Sequence, residues 1–311
     1  MNSPKQNTFE ELLDIGIALS STLELDKLLQ LILTEARRLT TADAGTLYLT
    51  DGEQLRAKVA QCKTLEERLG KAQADSLFEA FSVKIDTNSV SGSAAYNKEV
   101  INLSNLGEGT DFHNRQFDIK HDYQTLSTIA VPMINRQERV IGVLQLINAF
   151  DGQSVIAFEA FHVKLAKALA SQAAIAIQNA QLAESLMLAY LDTLQRLGLA
   201  AEWRDKETAN HINRVARYSA ELARRLNWPE HEVDLIYHAS PMHDVGKLGI
   251  PDHILHKPGK LSEQERRVIE THSVIGANIL KQPPNPVMDM ARMVALGHHE
   301  KWDGSGYPLQ C

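Results

Sequence analysis

A single helical periodicity covers residues 159–201 and constrains how the rest of the chain can fold. Apolar and small residues recur there in steps of four and three, which predicts one long α-helix with an apolar stripe. The stripe consists of Leu169, Ala173, Ala176, Ala180, Ala183, Met187, Tyr190, Leu194 and Leu197. Because it lasts for about four heptads, it predicts a parallel dimeric coiled coil that joins the two halves of the chain. The alternative is a single helix that buries the same stripe against its own domain.

The composition is that of an ordinary globular protein, with 44% hydrophobic and 23% charged residues among 311. At about 150 residues per domain, this length suggests two domains. The formal net charge of −7 argues against a general nucleic-acid binder, which requires a basic surface. The sequence has no signal-peptide pattern at its start and no apolar run of about 18 residues. Cys62 and Cys311 offer no disulfide framework. We therefore expect a cytoplasmic protein that binds neither nucleic acid nor membranes.

The half of the chain before the long helix combines helical and strand patterns. Residues 1–40 are predicted to be helical, because their apolar side chains recur at a spacing of 3.6 residues. Two β-hairpins follow, the first around the turn Asp51-Gly52 and the second around residues 135–138. Their four strands are predicted at residues 45–50, 54–61, 128–134 and 139–147.

This order of elements, closed by the helical segment Leu169–Leu182, resembles a GAF domain over about residues 10–182. The resemblance implies an α+β fold: an antiparallel sheet with flanking helices and a ligand pocket on the other side. GAF domains that bind cyclic nucleotides carry an Asn-Lys, Phe and Asp-Glu signature. The matching residues here are Asn148-Ala149, Phe158 and His162-Val163, without the lysine or the acids. The resemblance therefore implies a sensor whose small-molecule ligand the sequence does not identify. We interpret Cys62 as a bystander thiol rather than as a chromophore or redox position.

The half of the chain after the long helix has only helical patterns and most of the histidines. Helices are predicted over residues 209–226, 230–244, 262–281 and 287–300, and Ser262 with Glu265 forms a capping box. Nine of the twelve histidines lie between His211 and His299. A helical surface that only contacts solvent does not require such an enrichment of histidine.

These histidines surround a pattern that favours a metal site. In His243-Asp244, a neutral imidazole and a carboxylate stand together, and such groups bind divalent transition metals. Four helices that direct such side chains inward can hold two or three cations. Lys247 lies one turn past Asp244 and can bring a positive charge next to a phosphate. The pattern therefore predicts metal-dependent hydrolysis of a phosphodiester, with water activated by the metal ions.

The motifs of this half resemble an HD-GYP domain over about residues 200–311. They are His243-Asp-Val-Gly-Lys247, Leu248-Gly-Ile-Pro-Asp252, Leu255-His-Lys-Pro-Gly-Lys-Leu261, Thr271-His-Ser273 and His298-His-Glu-Lys-Trp-Asp-Gly-Ser-Gly-Tyr-Pro308. The resemblance implies a bacterial phosphodiesterase that hydrolyses cyclic di-GMP with two or three divalent metal ions, Fe or Mn. The metal ligands that it implies are Glu207, His211, His243, Asp244, His272, His298 and His299. It also implies that Lys247 contacts phosphate and that Gly306, Tyr307 and Pro308 contribute to substrate fit and to contacts with a GGDEF-domain partner.

We therefore predict a GAF sensor domain over residues 1–182, a connecting helix over 183–203 and an all-α HD-GYP domain over 204–311. In HD-GYP domains a further helix follows the Gly-Tyr-Pro loop and carries a metal-bridging aspartate. Because the sequence ends at Cys311, we expect this domain to be incomplete and this chain to be inactive. Two alternatives are a non-catalytic module that binds a ligand or a GGDEF partner, and a hydrolase of another cyclic dinucleotide.

Overall fold

The computed structural model describes residues 4–22, 24–77, 81–104, 106, 116–152, 154–204, 209–281 and 285–311. The chain divides into two compact units, Met1–Glu184 and Ser185–Cys311. The boundary between them lies within the long helix predicted from the sequence.

The N-terminal unit combines helices with one antiparallel sheet. Its helices are α1 (Pro4–Ser21), α2 (Leu25–Thr40), α3 (Lys63–Leu69), α4 (Lys71–Ser76), α5 (Val90–Asn97), α6 (Gln116–His121) and the first part of α7 (Ala160–Arg204). Its strands are β1 (Ala42–Asp51), β2 (Gln54–Cys62), β3 (Ser82–Lys84), β4 (Ile101–Ser104), β5 (Ser127–Ile134), β6 (Val140–Asp151) and β7 (Ser154–Ile156). The strand order is β3-β2-β1-β6-β5-β4, and β7 pairs with β6. Both predicted hairpins are confirmed, because β1 pairs with β2 and β5 pairs with β6.

The two faces of this sheet have different roles. Successive side chains of a strand point to opposite faces, and β1 illustrates the consequence. Leu47 packs into the main core with α2 and α7, whereas its neighbour Tyr48 packs with α5 on the other face. On β6, Leu144 and Val143 divide between the faces in the same way. The helices α2 and α7 therefore close one face, and the other face is left to form a cavity.

The long helix is confirmed as α7, which runs without interruption from Ala160 to Arg204. Its apolar stripe is not one continuous seam. Leu169 and Ala173 are buried in the core of the N-terminal unit, as are Ala176 and Ala180. Leu194 is buried in the core of the C-terminal unit. For these parts of the stripe the alternative of a helix packed on its own domain holds.

The C-terminal unit is helical, and three of its helices are shorter than predicted. It contains α8 (Ala209–Arg225), α9 (Glu230–Ala239), α10 (Asp252–Leu255), α11 (Glu263–Glu270), α12 (His272–Ile279), α13 (Pro286–Gly297) and two 3-10 helices, Ser240–Met242 and Val245–Gly249. The helix predicted over 230–244 ends at Ala239, and that predicted over 262–281 is divided at Thr271. The predicted capping box of Ser262 and Glu265 is confirmed at the start of α11.

The core of this unit lies between the last turns of α7, the helix α9 and the helix α13. Its buried side chains are Leu194, Ala239, Met242, Val245, Leu280, Val287, Ala291 and Ala295. None of the helices in the described part of the chain combines the length and the apolar character that crossing a membrane requires.

Candidate metal centre

The residues predicted to bind metal lie where helices end, not along them. His243 and Asp244 lie between the two 3-10 helices, and His272 is the first residue of α12. His298 directly follows the last residue of α13. Carbonyl groups at the C-terminal end of a helix have no partner within that helix. Each helix end therefore offers a carbonyl with a lone pair to spare next to an imidazole.

Three of the histidines use these carbonyls. In each, Nδ1 lies within hydrogen-bonding distance of a carbonyl three residues earlier. The pairs are His243 with Ser240 at 3.0 Å, His272 with Ile269 at 2.7 Å and His298 with Ala295 at 3.0 Å. Because a carbonyl oxygen can only accept, Nδ1 must carry the hydrogen in each ring. In the neutral form of each ring, the Nε2 atom is then a lone-pair donor, which is the form that a metal ion binds.

These Nε2 atoms surround the carboxylate of Asp244, which is only 8% exposed. Its Oδ1 lies 3.2 Å from Nε2 of His272 and 3.4 Å from Nε2 of His298. Its Oδ2 lies 3.1 Å from Nε2 of His243 and 2.8 Å from Nζ of Lys247. The two oxygens thus face different sets of donors. A carboxylate so placed can bridge two cations.

The charge of Asp244 requires positive partners. Burial alone would raise the pKa of Asp244, but hydrogen bonds donated by His243, His272 and His298 in their protonated form hold that pKa well below its usual range. When these imidazoles are neutral and carry their hydrogen on Nδ1, they cannot donate from Nε2. Lone pairs of oxygen and nitrogen then oppose each other at about hydrogen-bond distance. A divalent cation between them removes this conflict, so the residues fit a metal ion.

The spacing of the nitrogens also fits a cation. Nε2 of His272 and Nε2 of His298 lie 3.1 Å apart. Two nitrogens bound at about 2.1 Å, with an angle of roughly 90–110° between them, are about 3.0–3.4 Å apart. Ligand atoms of Asp244, His272, His298 and His299 all lie within 4.8 Å of one another. Burial is the main cause that lowers the pKa of His299 to about 4, so this imidazole is neutral at pH 7.

A second group of donors adjoins the first and contains a residue that the sequence analysis missed. Ligand atoms of Glu202, His211 and His243 lie within 4.8 Å of one another. Glu202 is 1% exposed, and burial together with the charge of Asp244 raises its pKa. The available signal was its position eight residues after Leu194, which puts a carboxylate on the buried face of α7.

The remaining predicted ligand, Glu207, lies outside the described residues. His211 lies in the first turn of α8 and is half-buried. His231, His253 and His256, which are not among the predicted ligands, are exposed.

Lys247 is held near Asp244 by the end of α7. The guanidinium of Arg204 donates to the carbonyls of Lys247 (3.3 Å), Leu248 (2.6 Å) and Ile250 (3.1 Å). It also forms an ion pair with Asp252. Arginine offers five donors in a rigid plane, which suits several carbonyls along a turn. The segment that carries the predicted phosphate-binding lysine is therefore fixed by its backbone.

The loop that carries Gly306, Tyr307 and Pro308 packs against the histidines. The ring of Tyr307 stacks on that of His299, with centroids 4.6 Å apart and an angle of 23° between the planes. A side chain at Gly306 would lie 2.5 Å from the carbonyl oxygen of His299, so the loop requires glycine to come this close. Burial raises the pKa of Tyr307 to about 12, and its phenol is protonated at neutral pH.

The end of this loop is closed by a carboxylate. Glu300 accepts hydrogen bonds from the backbone N–H groups of Leu309 (2.5 Å) and Gln310 (3.1 Å). Pro308 is half-buried beside Tyr307, whereas Trp302 is fully exposed. The loop thus holds Tyr307 inward and leaves an aromatic side chain available at the surface.

The N-terminal unit contains a separate cavity of about 200 Å³ on the sheet face opposite α7. Gln145 lies in its wall, and its Oε1 accepts hydrogen bonds from Ser91 (2.8 Å) and Tyr48 (3.2 Å). The described lining residues are Ala44, Gly45, Thr46, Tyr48, Gln61, Cys62, Leu77, Phe81, Val83, Ser89, Val90, Ser91, Asp118, Tyr123, Thr125, Gln145 and Ile147. None of these carries a positive charge, which disfavours an anionic ligand.

A buried carboxylate supports one side of this cavity. Asp43 accepts hydrogen bonds from the hydroxyl of Thr64 (2.9 Å) and the hydroxyl of Tyr123 (2.8 Å). Its Oδ2 also lies 3.6 Å from the thiol of Cys62. Asn148 matches the asparagine of the Asn-Lys pair in the cyclic-nucleotide signature. It donates to the Tyr123 oxygen at 3.1 Å. These polar groups satisfy one another and hold the cavity wall.

Comparison with known families agrees with both halves of the structure. Residues 24–177 match the GAF domain family, and residues 167–311 match a family described as an HD domain. The chain therefore combines a GAF domain with an HD domain.

Among curated proteins, the chain is similar to the 3'3'-cGAMP-specific phosphodiesterase 2 of Vibrio cholerae, with 44% identity over 43% of this chain and 26% of that protein. It is also similar to a cyclic di-GMP phosphodiesterase of Thermotoga maritima, with 43% identity over 38% of this chain and 32% of that protein. The matched segments thus span a third or less of these relatives. A solved GAF domain/HD domain protein from Geobacter sulfurreducens matches 53% of this chain and 98% of its own, with 19% identity and a TM-score of 0.42.

The glycine of the His-Asp-Val-Gly-Lys motif gives a test of the packing around the site. A Cβ atom at Gly246 would lie 1.8 Å from the carbonyl oxygen of His272 and 2.5 Å from the backbone nitrogen of Gly276. We expect Gly246→Ala to lower the free energy of unfolding of the C-terminal unit by about 2 kcal/mol, because backbone must move. Thermal unfolding of the metal-free protein measures this. The control Gly297→Ala, with no atom within 4 Å of the new Cβ, should change it by less than about 1 kcal/mol.

The two cysteines should differ sharply in reactivity. Burial raises the pKa of Cys62 to about 12, and the residue is 2% exposed, whereas Cys311 is exposed. A thiol with that pKa is about 0.01% ionised at pH 8. We expect iodoacetamide at pH 8 to modify Cys311 alone in the folded protein and both residues in urea, as mass spectrometry would detect. Equal labelling of both in the folded protein would contradict the described burial.

Proposed function

We propose that the C-terminal unit hydrolyses phosphodiester bonds of cyclic dinucleotides, with cyclic di-GMP as the first substrate to test. The observation that carries this proposal is the buried Asp244 carboxylate, whose two oxygens face Nε2 atoms of different histidines. The names and the 43–44% identity of the curated relatives support the same reaction. Two or three divalent ions, Fe or Mn, would be held by His211, His243, Asp244, His272, His298 and His299, together with the predicted Glu207.

The side chains of the site have complementary roles in this proposal. Metal ions bound there would supply an activated water molecule and neutralise negative charge on the phosphate. Asp244 holds the ammonium of Lys247 at 2.8 Å, where a cation stabilises phosphate charge. The protonated phenol of Tyr307 is a hydrogen-bond donor next to His299. The Gly306-Tyr307-Pro308 loop would thereby contribute to substrate fit.

A second substrate is favoured by one specific observation. The relative with 44% identity is named as specific for 3'3'-cGAMP, another cyclic dinucleotide. Both molecules present two phosphodiesters to the site and differ only in a base. The metal-binding residues are therefore expected to serve either substrate, and the choice between them belongs to the groups that contact the bases.

The N-terminal unit supports a sensor role. We propose that its cavity takes a small ligand without net negative charge, because no positive side chain occurs in the described lining. Gln145 and the hydroxyl groups near it offer hydrogen bonds, and Phe81 and Val83 offer apolar contact. Such a mixture of polar and apolar groups is typical of small-molecule sites.

The predicted homodimer would use the part of α7 that neither core buries. Leu182, Leu186 and Leu188 are 60%, 73% and 62% exposed, and Met187 is 48% exposed. Leu182 and Leu186 are four residues apart and share one face of α7, and Met187 of the predicted stripe lies beside them. A second α7 would cover this surface. A GGDEF-domain partner also stays a prediction, for which the exposed Trp302 offers a contact point.

Substitution of one ligand should abolish the proposed reaction. We expect His272→Ala to reduce hydrolysis of cyclic di-GMP more than about 100-fold, because even outer-shell partners of a metal typically contribute 10- to 100-fold. Product is measured by chromatography after anaerobic loading of the full-length protein with Mn²⁺ or Fe²⁺. The control His231→Ala, on an exposed histidine, should leave the rate unchanged. A full-length wild-type protein that binds metal but hydrolyses neither cyclic di-GMP nor 3'3'-cGAMP would refute the proposal.

The dimer has its own test. We expect the wild-type chain to sediment as a dimer at micromolar concentration and Leu186→Asp to sediment as a monomer, because a charge would enter the apolar contact. Tyr218→Asp, which alters a residue 65% exposed on α8, is the matched control and should remain dimeric. A wild-type monomer at this concentration would exclude the α7 contact.

A further inference from the structure

The carboxylate of Glu202 lies inside the C-terminal unit, and none of the described residues forms a hydrogen bond with it. It lies near the end of α7 and is only 1% exposed. Neither of its side-chain oxygens accepts a hydrogen bond from the part of the chain that the structure describes. Burial of a carboxylate is strongly unfavourable unless a cation or several donors compensate its charge. The position therefore calls for a compensating group.

Among the described residues, two cationic side chains near Glu202 have partners elsewhere. Arg204, two residues further on, donates to the carbonyls of Lys247, Leu248 and Ile250. The ammonium of Lys247 lies 2.8 Å from Oδ2 of Asp244. Neither forms a hydrogen bond with Glu202.

The atoms that do face Glu202 are metal-ligand atoms. Its Oε1 lies 3.8 Å from Nε2 of His243, and His211 has a ligand atom within 4.8 Å of both. A separation of 3.8 Å is too long for a hydrogen bond. It is shorter than the limit of about 4.2 Å for two ligands bound at about 2.1 Å to one cation. The hydrogen bond of His243 Nδ1 to Ser240 leaves Nε2, the atom closer to Glu202, as the nitrogen of this ring that can bind a metal ion.

We infer that Glu202 is a metal ligand, which holds a divalent cation together with His211 and His243. This inference rests on the proposed function of the same site. Oδ2 of Asp244, 3.1 Å from Nε2 of His243, is placed to be shared with that cation, while Oδ1 faces His272 and His298. The centre thus has two adjoining positions, and the long helix α7 supplies a ligand to one of them.

The test measures metal content directly. The full chain is loaded anaerobically with Mn²⁺, desalted and analysed by inductively coupled plasma mass spectrometry. We expect Glu202→Gln, which keeps the shape of the side chain, to lose about one metal equivalent per chain relative to wild type. The electron paramagnetic resonance spectrum should also change, because the number of mutually coupled Mn²⁺ ions falls by one. Glu221→Gln, on an exposed residue paired with Arg225, is the matched control and should retain the wild-type content.

A second variant guards against a folding defect. Glu202→Asp keeps the charge on a shorter side chain, and we expect it to recover the lost equivalent at higher Mn²⁺ concentration. Full metal content and an unchanged spectrum in Glu202→Gln would overturn the inference while leaving the proposed function intact. A wild-type chain that binds no Mn²⁺ would instead refute the proposed function itself.

Discussion

The hydrogen bond from an imidazole Nδ1 to a carbonyl at a helix end is the interaction on which the metal centre depends. It occurs at His243, His272 and His298, each with a carbonyl three residues earlier. It fixes the hydrogen on one nitrogen, fixes the plane of the ring and leaves the other nitrogen as a donor to metal. These carbonyls can accept the imidazole hydrogen because they lie in the last turns of helices, where acceptors exceed the available helical N–H groups. In this unit the ends of the helices therefore also determine which nitrogen of each histidine can bind a metal ion.

Much of the fold was predictable because its elements are periodic and local. The hairpins of β1 with β2 and of β5 with β6 follow from alternating side chains around short turns. The helix α7 follows from spacing in steps of three and four. What periodicity does not reveal is which surface covers an apolar stripe. Leu169 and Ala173 fill the core of their own unit, because a sheet offers the same apolar contact as a second helix would.

The candidate site was predictable as a set of residues but not as a structure. His243, Asp244 and His272 are recognisable from motifs, yet the helices predicted through them end or break at these positions. The ligand geometry overrides helix propensity there, since a continuous helix would direct neighbouring side chains to different faces. Glu202 lacks any motif and is identified only by its burial and by the histidines that face it. Such a residue can be identified only from the three-dimensional structure.

The last turn of α7 connects two parts of the centre through one rigid element. Glu202 faces His243, and Arg204 binds the backbone of the segment that carries Lys247. An axial shift of one residue would move both by about 1.5 Å and turn them by about 100°. Metal affinity and phosphate contact would then change together. Linkage between two equilibria is reciprocal. If one position of the helix binds metal more tightly, then bound metal stabilises that position by the same factor. The metal ion would in that case be an effector of the helix as well as a cofactor.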